Sequence, residues 1–482
     1  MKTKLKDNLI FRAIIIPISI ILCFIGQLIP PINGLSSEAF GVIFIFAGVL
    51  ILWLTIGIDW PSLLCLFALG FIDKFGFNKV LTTSFGNSTF AFLLFTFVCT
   101  YALSKTSLIK RIALTFVNFK IAQKNSYFFI FFFLLATLIL GLFISPSVLF
   151  VILLPILNEI IDLLKIDKKD KIAKVLMLGL GFTVSISSGM TPIAHVFPIL
   201  AINAANIEVS TFEYIALAFP AGLVLFLLMF LLLLLFIRPK KNGLNFENVI
   251  DLKKSLQKLD KKDIFTLIIF ITVLVLWIVP SIFEFIYYPI YEFFNKYGTI
   301  MPPLLGTLLL CIIRVDQKPL IEVGDAFKNG APWGSLIMCA ATLALGEAIK
   351  SQDIGLITFL QTNLGNSLIY LPPLALLIIF ALWAAIQTNL SSNMVTATLV
   401  GTVASTILLS TTSSLNLEAT ICIIGMLSSF AFATPPSMPH IAIISSSETL
   451  STKEVFIYGI LVMFLSILTA LLISYPIGLL IF

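Results

Sequence analysis

Charge is scarce in this sequence. Of its 482 residues only 11% are charged and 59% are hydrophobic, and the mean hydropathy is +1.10. A soluble globular domain is roughly one-quarter charged, so a water-soluble enzyme is excluded. Several apolar runs reach the roughly 20 residues that a helix needs to cross a membrane. The alternation typical of a β-barrel is missing, and backbone in lipid must satisfy its own hydrogen bonds. The chain is therefore predicted to be an all-α polytopic membrane protein.

Metal-binding and catalytic patterns are missing as well. The six cysteines lie in apolar runs without CxxC spacing, and neither of the two histidines stands in an HExxH motif, so no metal and no cofactor are predicted. The apolar runs contain almost no Asp, which argues against an aspartyl protease. A serine hydrolase using Ser187 or Ser188 with His195 stays an alternative, as does a channel. The net charge of +6 is interpreted as basic loops that set orientation, so no nucleic-acid partner is expected.

Hydropathy predicts about eleven membrane-spanning helices and two shorter apolar blocks. The spans lie near residues 11–30, 38–58, 61–73, 86–104, 174–204, 212–237, 264–283, 299–313, 333–350, 416–446 and 454–482. The blocks, 126–164 and 370–412, each have room for two short helices and carry polar residues at the centre. The lipid bilayer is therefore the first partner that the sequence predicts.

The distribution of basic residues decides how these blocks sit in the membrane. If both blocks return to the side from which they came, 26 of the 30 Lys and Arg residues fall on the cytoplasmic side. A single crossing by block 126–164 would largely destroy this positive-inside bias. The blocks are therefore predicted to be re-entrant hairpins, the first opening to the cytoplasm and the second to the outside. This places the N-terminus in the cytoplasm and the C-terminus outside, in a multi-pass protein of the plasma membrane.

The two halves of the chain resemble each other at an offset near 242 residues. Ser84-Phe85-x-Asn87 matches Ala326-Phe327-x-Asn329, and Ser210-Thr211-Phe212-Glu213 matches Ser451-Thr452-Lys453-Glu454. The second pair has the form of a capping box that starts a helix. Because the two hairpins open to opposite sides, the repeat is predicted to be inverted, which is an architecture of secondary transporters.

The repeat divides the chain into five predicted parts. They are scaffold helices at 1–124, the first hairpin and broken helix of a transport domain at 125–237, a cytoplasmic linker at 238–262, scaffold helices at 263–369, and the second hairpin and broken helix at 370–482.

Four polar breaks interrupt the apolar segments in two corresponding pairs. The hairpin tips are Ser145-Pro146-Ser147 and the stretch 387–399, and the broken spans carry 185–198 and 428–440. Irregular backbone at membrane depth is tolerated where protein or a water-filled cavity covers it. The helix that starts after a tip points free N–H groups to the membrane centre, where an anion can bind them. These breaks are therefore predicted to form a binding site.

With these motifs the sequence resembles the divalent anion:sodium symporters, the family of di- and tricarboxylate carriers. The family carries Ser-Asn-Thr at each tip and a Thr-Pro-Pro-Asn type stretch at each broken span. The second half keeps Ser392-Asn393-Met394 and Thr434-Pro435-Pro436-Ser437. The first half departs from the pattern, with Ser145-Pro146-Ser147 at the tip and His195-Val196-Phe197-Pro198 where the broken-span stretch is expected. Phe85-Gly86-Asn87 and Pro332-Trp333-Gly334 add to the resemblance.

The resemblance implies a dicarboxylate bound between the tips and the breaks, and a homodimeric scaffold against which the transport domain moves like an elevator. The predicted substrate-binding residues are Ser145, Pro146, Ser147, Thr191, His195, Ser392, Asn393, Met394, Thr434, Pro435 and Ser437. The residues that remain for a sodium ion are Thr388, Ser391, Asn393 and Ala433. His440 is interpreted as a structural or cavity-facing residue.

Pro146 stands where the family has an Asn, and this loss of an amide oxygen argues against sodium coupling. The chain is predicted to be a secondary active transporter, not an enzyme, that exchanges small dicarboxylates of the succinate, malate and 2-oxoglutarate class. Sodium-coupled symport is the alternative.

Overall fold

The described residues are mostly helical in a computed structural model. The structure describes residues 9–482 except for 33, 118, 194, 242–258, 287, 299, 357–358, 360–371, 391, 411–413, 436 and 446.

Six described helices precede the first hairpin, with a 3-10 turn at Gly26–Leu28. They are α1 (Leu9–Ile25), α2 (Ser37–Thr55), α3 (Asp59–Leu69), α4 (Gly76–Thr83), α5 (Ser88–Ser104) and α6 (Leu108–Val117). The side chain of Asn87, in the first of the motifs that carry the repeat, caps α5 by accepting a hydrogen bond from the Thr89 amide. The axes of α4 and α5 meet at a bend of 41°.

The first hairpin and broken helix follow a second 3-10 turn at Ala122–Lys124. They comprise α7 (Ser126–Gly141), α8 (Pro146–Leu163), α9 (Lys171–Met190), α10 (Phe197–Ala205) and α11 (Thr211–Ile237). Asn125 caps α7 through the amides of Tyr127 and Phe128. Pro146 is the first residue of α8, where its missing N–H costs no helical hydrogen bond.

The second half begins with α12 (Lys261–Ile286), α13 (Tyr288–Tyr297) and α14 (Met301–Ile312). A short antiparallel pair, β1 (Arg314–Val315) and β2 (Lys318–Pro319), leads into α15 (Val323–Asp325), a π-helical turn (Ala326–Gly330) and α16 (Trp333–Lys350). The segment Val323–Gly330 meets α16 at a bend of 77°. The bent pair therefore recurs at the position that corresponds to α4 and α5.

The second hairpin and broken helix complete the chain. The elements are α17 (Pro373–Leu390), α18 (Asn393–Ser410), α19 (Leu417–Ser429), α20 (Pro439–Ser445), α21 (Thr452–Thr469), a π-helical turn (Ala470–Ser474) and α22 (Tyr475–Ile481).

Both predicted capping boxes are present. The hydroxyl of Ser210 accepts from the amide of Glu213, whose carboxylate accepts from the Ser210 amide at 2.7 Å. Ser451 and Glu454 make the same pair of bonds at the start of α21. The sequence match between these segments therefore corresponds to the same local structure in both halves.

The helices confirm an all-α polytopic membrane protein. Seven described helices are long and apolar enough to cross a membrane, or nine if each bent pair counts as one span. The spans predicted at 174–204 and 416–446, for which the sequence also predicts a polar break, are each interrupted in the structure, which forms α9 with α10 and α19 with α20. Polar, Pro-containing sequence at the centre of each span is what ends the first helix in both cases.

The core lies where the two halves pack against each other. The side chains of α9 are buried from Val175 to Met190. The helix after each break packs on the hairpin of the other half: α10 contacts α18 and α19, while α20 contacts α8 and α9. At Gly425 an added Cβ would lie 2.8 Å from the Pro198 Cα, so glycine is what lets α10 and α19 approach so closely.

Candidate functional site

The first tip is the turn between α7 and α8. Gly141 ends α7 against α9, where an added Cβ would lie 2.0 Å from the hydroxyl oxygen of Ser187. Ser145 is half-buried in the N-cap position of α8, but its side chain makes no capping hydrogen bond. Pro146 is buried and Ser147 is exposed. The tip therefore offers hydroxyl groups, and the Pro146 nitrogen adds no donor.

A hydrogen bond ties this tip to the first break, the segment between α9 and α10. The Thr191 hydroxyl donates to the carbonyl oxygen of Leu142 at 2.7 Å. The Tyr214 hydroxyl of α11 donates to the carbonyl oxygen of Gly189 at 2.7 Å, next to the point where α9 ends. Two hydrogen bonds thus fix the end of α9 between the hairpin and α11.

The second tip, between α17 and α18, is tied to its break in the same way. The Thr434 hydroxyl donates to the carbonyl oxygen of Asn389. Leu142 stands three residues before Ser145, and Asn389 stands three residues before Ser392, so the two bonds join equivalent positions. By these bonds, Thr191-Pro192 of the first half corresponds to Thr434-Pro435 of the second half. The sequence interpretation of His195 to Pro198 as the equivalent stretch is therefore shifted by four residues.

Asn389 organises the second break, and sequence analysis did not select it. Its side-chain oxygen accepts from the amides of Phe432 at 2.7 Å and Ala433 at 2.8 Å. Its side-chain nitrogen donates to the carbonyl oxygens of Ala385 at 2.9 Å and Phe430 at 3.1 Å. All its hydrogen-bonding capacity is used. The sequence did contain a sign of its importance. Burying an amide side chain in an apolar helix, here directly before a tip, costs free energy unless the amide is hydrogen-bonded.

Asn393, the first residue of α18, differs from Asn389 in its hydrogen bonding. Its side chain is 3% exposed, and neither its oxygen nor its nitrogen has a hydrogen-bond partner among the residues that the structure describes. An unpaired buried polar group costs about 1–3 kcal/mol. A ligand that accepts from the nitrogen or coordinates the oxygen would remove this cost.

The remaining predicted residues of the second half flank Asn393 in the chain or lie in the break that Thr434 ties to this tip. Ser392 and Met394 are half-buried, as are Thr434 and Pro435 in the break. The Ser437 hydroxyl donates to the Thr434 carbonyl oxygen at 2.6 Å and closes the turn of the break.

Three of the four predicted sodium ligands can be placed. The Thr388 hydroxyl donates to the Ser428 carbonyl oxygen at 2.6 Å, which leaves lone pairs on its own oxygen. Ala433 is buried with its amide on Asn389, and Asn393 has an unpaired oxygen. Ser391 lies outside the described residues.

The last turns of α9, which lead into the first break, contact the second break. The Ser185 hydroxyl donates to the carbonyl oxygen of Ala431 at 2.7 Å. An added Cβ at Gly189 would lie 2.5 Å from the Phe430 ring and 3.0 Å from the Met426 carbonyl oxygen. The tips, which hold their own breaks, are thereby joined into one packed unit.

His195 lies at the end of the first break. It is half-buried, its ring centroid lies 3.9 Å from that of Phe197, and its Nδ1 atom has no partner among the described residues. A cavity of about 590 Å³ reaches this break at Pro192. Glu208 and Glu213 line the cavity together with polar residues of α5, α10 and α11, and its lining includes no basic side chain among the described residues. This cavity therefore lacks the cationic clamp that many anion sites use.

Paired helical hairpins and paired broken helices in a helical membrane protein are the architecture of secondary transporters. A family model described as citrate transporter matches residues 48–424. The chain therefore belongs to this citrate transporter family, which confirms the resemblance to the divalent anion:sodium symporters.

A curated relative agrees with this assignment. The sodium-dependent dicarboxylate transporter SdcS of Staphylococcus saprophyticus is 24% identical over 421 residues, which cover 82% of this chain and 77% of the relative. The chain is a multi-pass membrane transporter of the citrate and dicarboxylate type, and not an enzyme.

Proposed function

We propose that this protein carries small dicarboxylates of the succinate, malate and 2-oxoglutarate class, and that it works by exchange. The observation that carries the proposal is Asn393, whose buried side chain has no partner for either polar atom among the described residues. It starts α18 at a tip held by Thr434, so a carboxylate that binds the amide also meets the first free N–H groups of a helix.

The binding site uses neutral groups for a doubly charged ligand. No Lys or Arg occurs in either tip or either break. Hydroxyl groups at the first tip, the amide at the second tip and the N–H groups at the starts of α8 and α18 are the available partners. Helix N-termini favour negative charge, so a dianion is compatible with such a site.

We further propose an inverted repeat with elevator-type movement. The recurrence of the bent pair, the capping boxes and the tip-to-break bonds supports a repeat of the whole half. Segments 1–124 and 263–369 form the scaffold, and segments 125–237 and 370–482 form the transport domain, joined by the linker 238–262. The scaffold mediates a homodimer, as the family resemblance implies.

Topology tests the inversion directly. Single cysteines at Asn125 and Lys169, in a protein without the six native cysteines, flank the first hairpin. Both are expected to react with a membrane-impermeant maleimide from the cytoplasmic side only, because a re-entrant hairpin returns to its starting side. Labelling from opposite sides would remove the basis of the inverted repeat and of the orientation with an outside C-terminus.

Sodium symport is the second candidate, and two observations favour it. The relative is named a sodium-dependent transporter, and the oxygens of Thr388 and Asn393 are available at the second tip. Exchange is favoured by Pro146, because the first tip has no amide oxygen to complete a second cation site. A carrier that cannot neutralise its site with cations returns across the membrane only with substrate.

Uptake of labelled succinate into proteoliposomes tests the proposal. We expect saturable uptake that depends on dicarboxylate trapped inside and changes little when external sodium is replaced by potassium. Strong uptake into vesicles without internal dicarboxylate, driven by sodium, would establish the symporter instead. Non-saturable flux without stimulation by internal substrate would indicate a channel and contradict both.

A further inference from the structure

His440 is a fully buried histidine next to the second break. It is the second residue of α20 and is 0% exposed. Its ring lies 5.7 Å from the ring of Phe150 in α8, and its Nε2 atom lies 2.8 Å from the Ser185 hydroxyl of α9. It therefore stands where the helix after the second break meets the first hairpin.

The hydrogen bonds of Ser185 determine which nitrogen of His440 carries the proton. The single hydroxyl proton of Ser185 goes to the carbonyl oxygen of Ala431 at 2.7 Å. The hydroxyl oxygen must then accept from Nε2–H of His440. Nδ1 of the neutral ring is consequently a bare acceptor, and it has no hydrogen-bond partner among the described residues. A buried acceptor without a partner calls for an explanation.

A chain of hydrogen bonds joins this ring to the second tip. His440 donates to Ser185, and Ser185 donates to the carbonyl oxygen of Ala431. The same peptide group donates its N–H, that of Phe432, to the side-chain oxygen of Asn389 at 2.7 Å. Every bond runs in one direction, so charge on the ring strengthens each donor that follows it.

Charged side chains lie far from the ring. The helices that pack against α20 are α8, α9 and α21, and the charged residues of these three helices are Glu159, Asp162, Lys171, Lys174, Lys453 and Glu454. At 1.5 Å per residue, Lys174 lies about 16 Å along α9 from Ser185, and Glu159 about 13 Å along α8 from Phe150. Glu454 bonds Lys174, so it lies at the same distant level. His195 is the other titratable group within electrostatic reach.

We propose that Nδ1 of His440 binds a proton when the transport site binds a dicarboxylate, so that the loaded site carries less net charge. Among the described helices that pack against α20, no acidic side chain is near enough to stabilise an imidazolium, and the bound dianion supplies that charge. The inference rests on the proposed function, because the anion is the proposed substrate. Linkage is reciprocal, so the proton must strengthen anion binding as much as the anion strengthens proton binding.

Proton uptake during binding tests the proposal. Purified full-length protein in weak buffer at pH 7.5 is mixed with succinate, and a pH dye reports protons taken up per succinate bound. The wild type is expected to take up a measurable number of protons, at most one, per succinate bound. Its affinity for succinate is expected to fall, at most tenfold, for each unit by which the pH rises. His440→Gln keeps a donor for Ser185 and is expected to take up almost none. His195→Gln keeps His440 and is expected to take up as many protons per bound succinate as the wild type, whatever its own affinity for succinate.

The outcomes separate the two proposals. Absence of succinate binding to the wild type refutes the proposed function. Binding without proton uptake, or equal uptake by His440→Gln, refutes only the role of His440.

A second measurement does not depend on the folding of His440→Gln. The chain contains two histidines, so wild-type protein labelled with 15N-histidine gives two sets of ring signals, which the His195→Gln spectrum assigns. We expect the Nδ1 signal of His440 to change from a bare acceptor to a protonated nitrogen when succinate is added. An Nδ1 signal that stays bare at saturation, or that is protonated before succinate is added, overturns the proposal.

Discussion

At both tips a threonine of the break donates its hydroxyl proton to a carbonyl oxygen three residues before the tip serine, but the residues that own these carbonyls differ. At the first tip the residue is Leu142, which adds no polar side chain. At the second tip it is Asn389, whose side chain makes four further hydrogen bonds. The bond that both halves share sets the position of each tip. The second half adds the side-chain hydrogen bonds of Asn389 to it.

The first residues of the helices that follow the tips also differ in their polar groups, and again the second half has the polar side chain. Pro146 starts α8 without an N–H or an amide, and Ser147 after it is exposed. Asn393 starts α18 with a buried amide that has no partner among the described residues. The comparison teaches that two halves can keep one geometry while the recognition groups concentrate in one of them. We therefore expect substitutions in the second half to have the larger effects.

Removal of the Asn389 side chain is expected to have the largest effect. Asn389→Ala leaves the amides of Phe432 and Ala433 buried without an acceptor, at about 1–3 kcal/mol each. The thermal midpoint of the purified protein is expected to fall strongly, and succinate exchange is expected to be lost with it.

Leu142→Ala is the matched control for this substitution, because the carbonyl that receives Thr191 belongs to the backbone and stays. It removes apolar contacts but leaves no unsatisfied hydrogen bond. If the two variants lose the same stability, the side chain of Asn389 is not what distinguishes the tips.

Asn393→Ala is expected to act on binding more than on stability. Its side chain has no bond to lose among the described residues, and removal of a partner of a charged ligand costs about 1–3 kcal/mol, or roughly 5–150-fold in affinity. Titration calorimetry with succinate measures this change. Ser147→Ala at the first tip is expected to change the affinity less, and an unchanged affinity in Asn393→Ala would exclude the amide from the site.

The sequence predicted the arrangement of polar breaks better than the contacts inside them. Helical spans, paired hairpins and capping boxes follow from patterns that extend over many residues, and those signals survive in Ser210-Glu213 and Ser451-Glu454. The partners of a single side chain depend on how helices cross, which no local pattern contains. Asn389 was missed for this reason, because its four partners lie on its own helix and on the break more than 40 residues away.

The alignment of the first break shows the same limit. Position relative to the family motif placed His195 to Pro198 opposite Thr434 to Ser437. The bond from Thr191 to Leu142 corrects this by four residues. When motifs are degraded, the carbonyl that a hydroxyl contacts decides which positions correspond. Here that contact joins residues that are 49 positions apart in the chain, so the local sequence does not show it.

The two threonines give a smaller and more symmetrical comparison. Thr191→Val and Thr434→Val each remove one hydroxyl donor to a partly buried carbonyl, which costs about 0.5–1.5 kcal/mol. We expect Thr191→Val to lower the thermal midpoint more, because the side-chain bonds of Asn389 still hold the second tip when Thr434 is lost. A larger loss in Thr434→Val would show that the threonine bond, and not the Asn389 side chain, carries the second tip.

Pro146→Asn is expected to have the smallest effect on the fold and the most informative effect on coupling. Pro146 is the first residue of α8, where its substitution is expected to cost less than about 1 kcal/mol. The new amide brings to the first tip the kind of oxygen that the second tip has in Asn393. If the missing oxygen is what prevents sodium coupling, the variant gains a sodium-stimulated component of succinate uptake into vesicles without internal dicarboxylate. Val151→Asn adds an amide at an exposed position of α8, about one turn beyond Ser147, and is expected to gain none. Sodium stimulation that is already present in the wild type, or that appears equally in both variants, would mean that the difference between the tips does not determine the coupling mode.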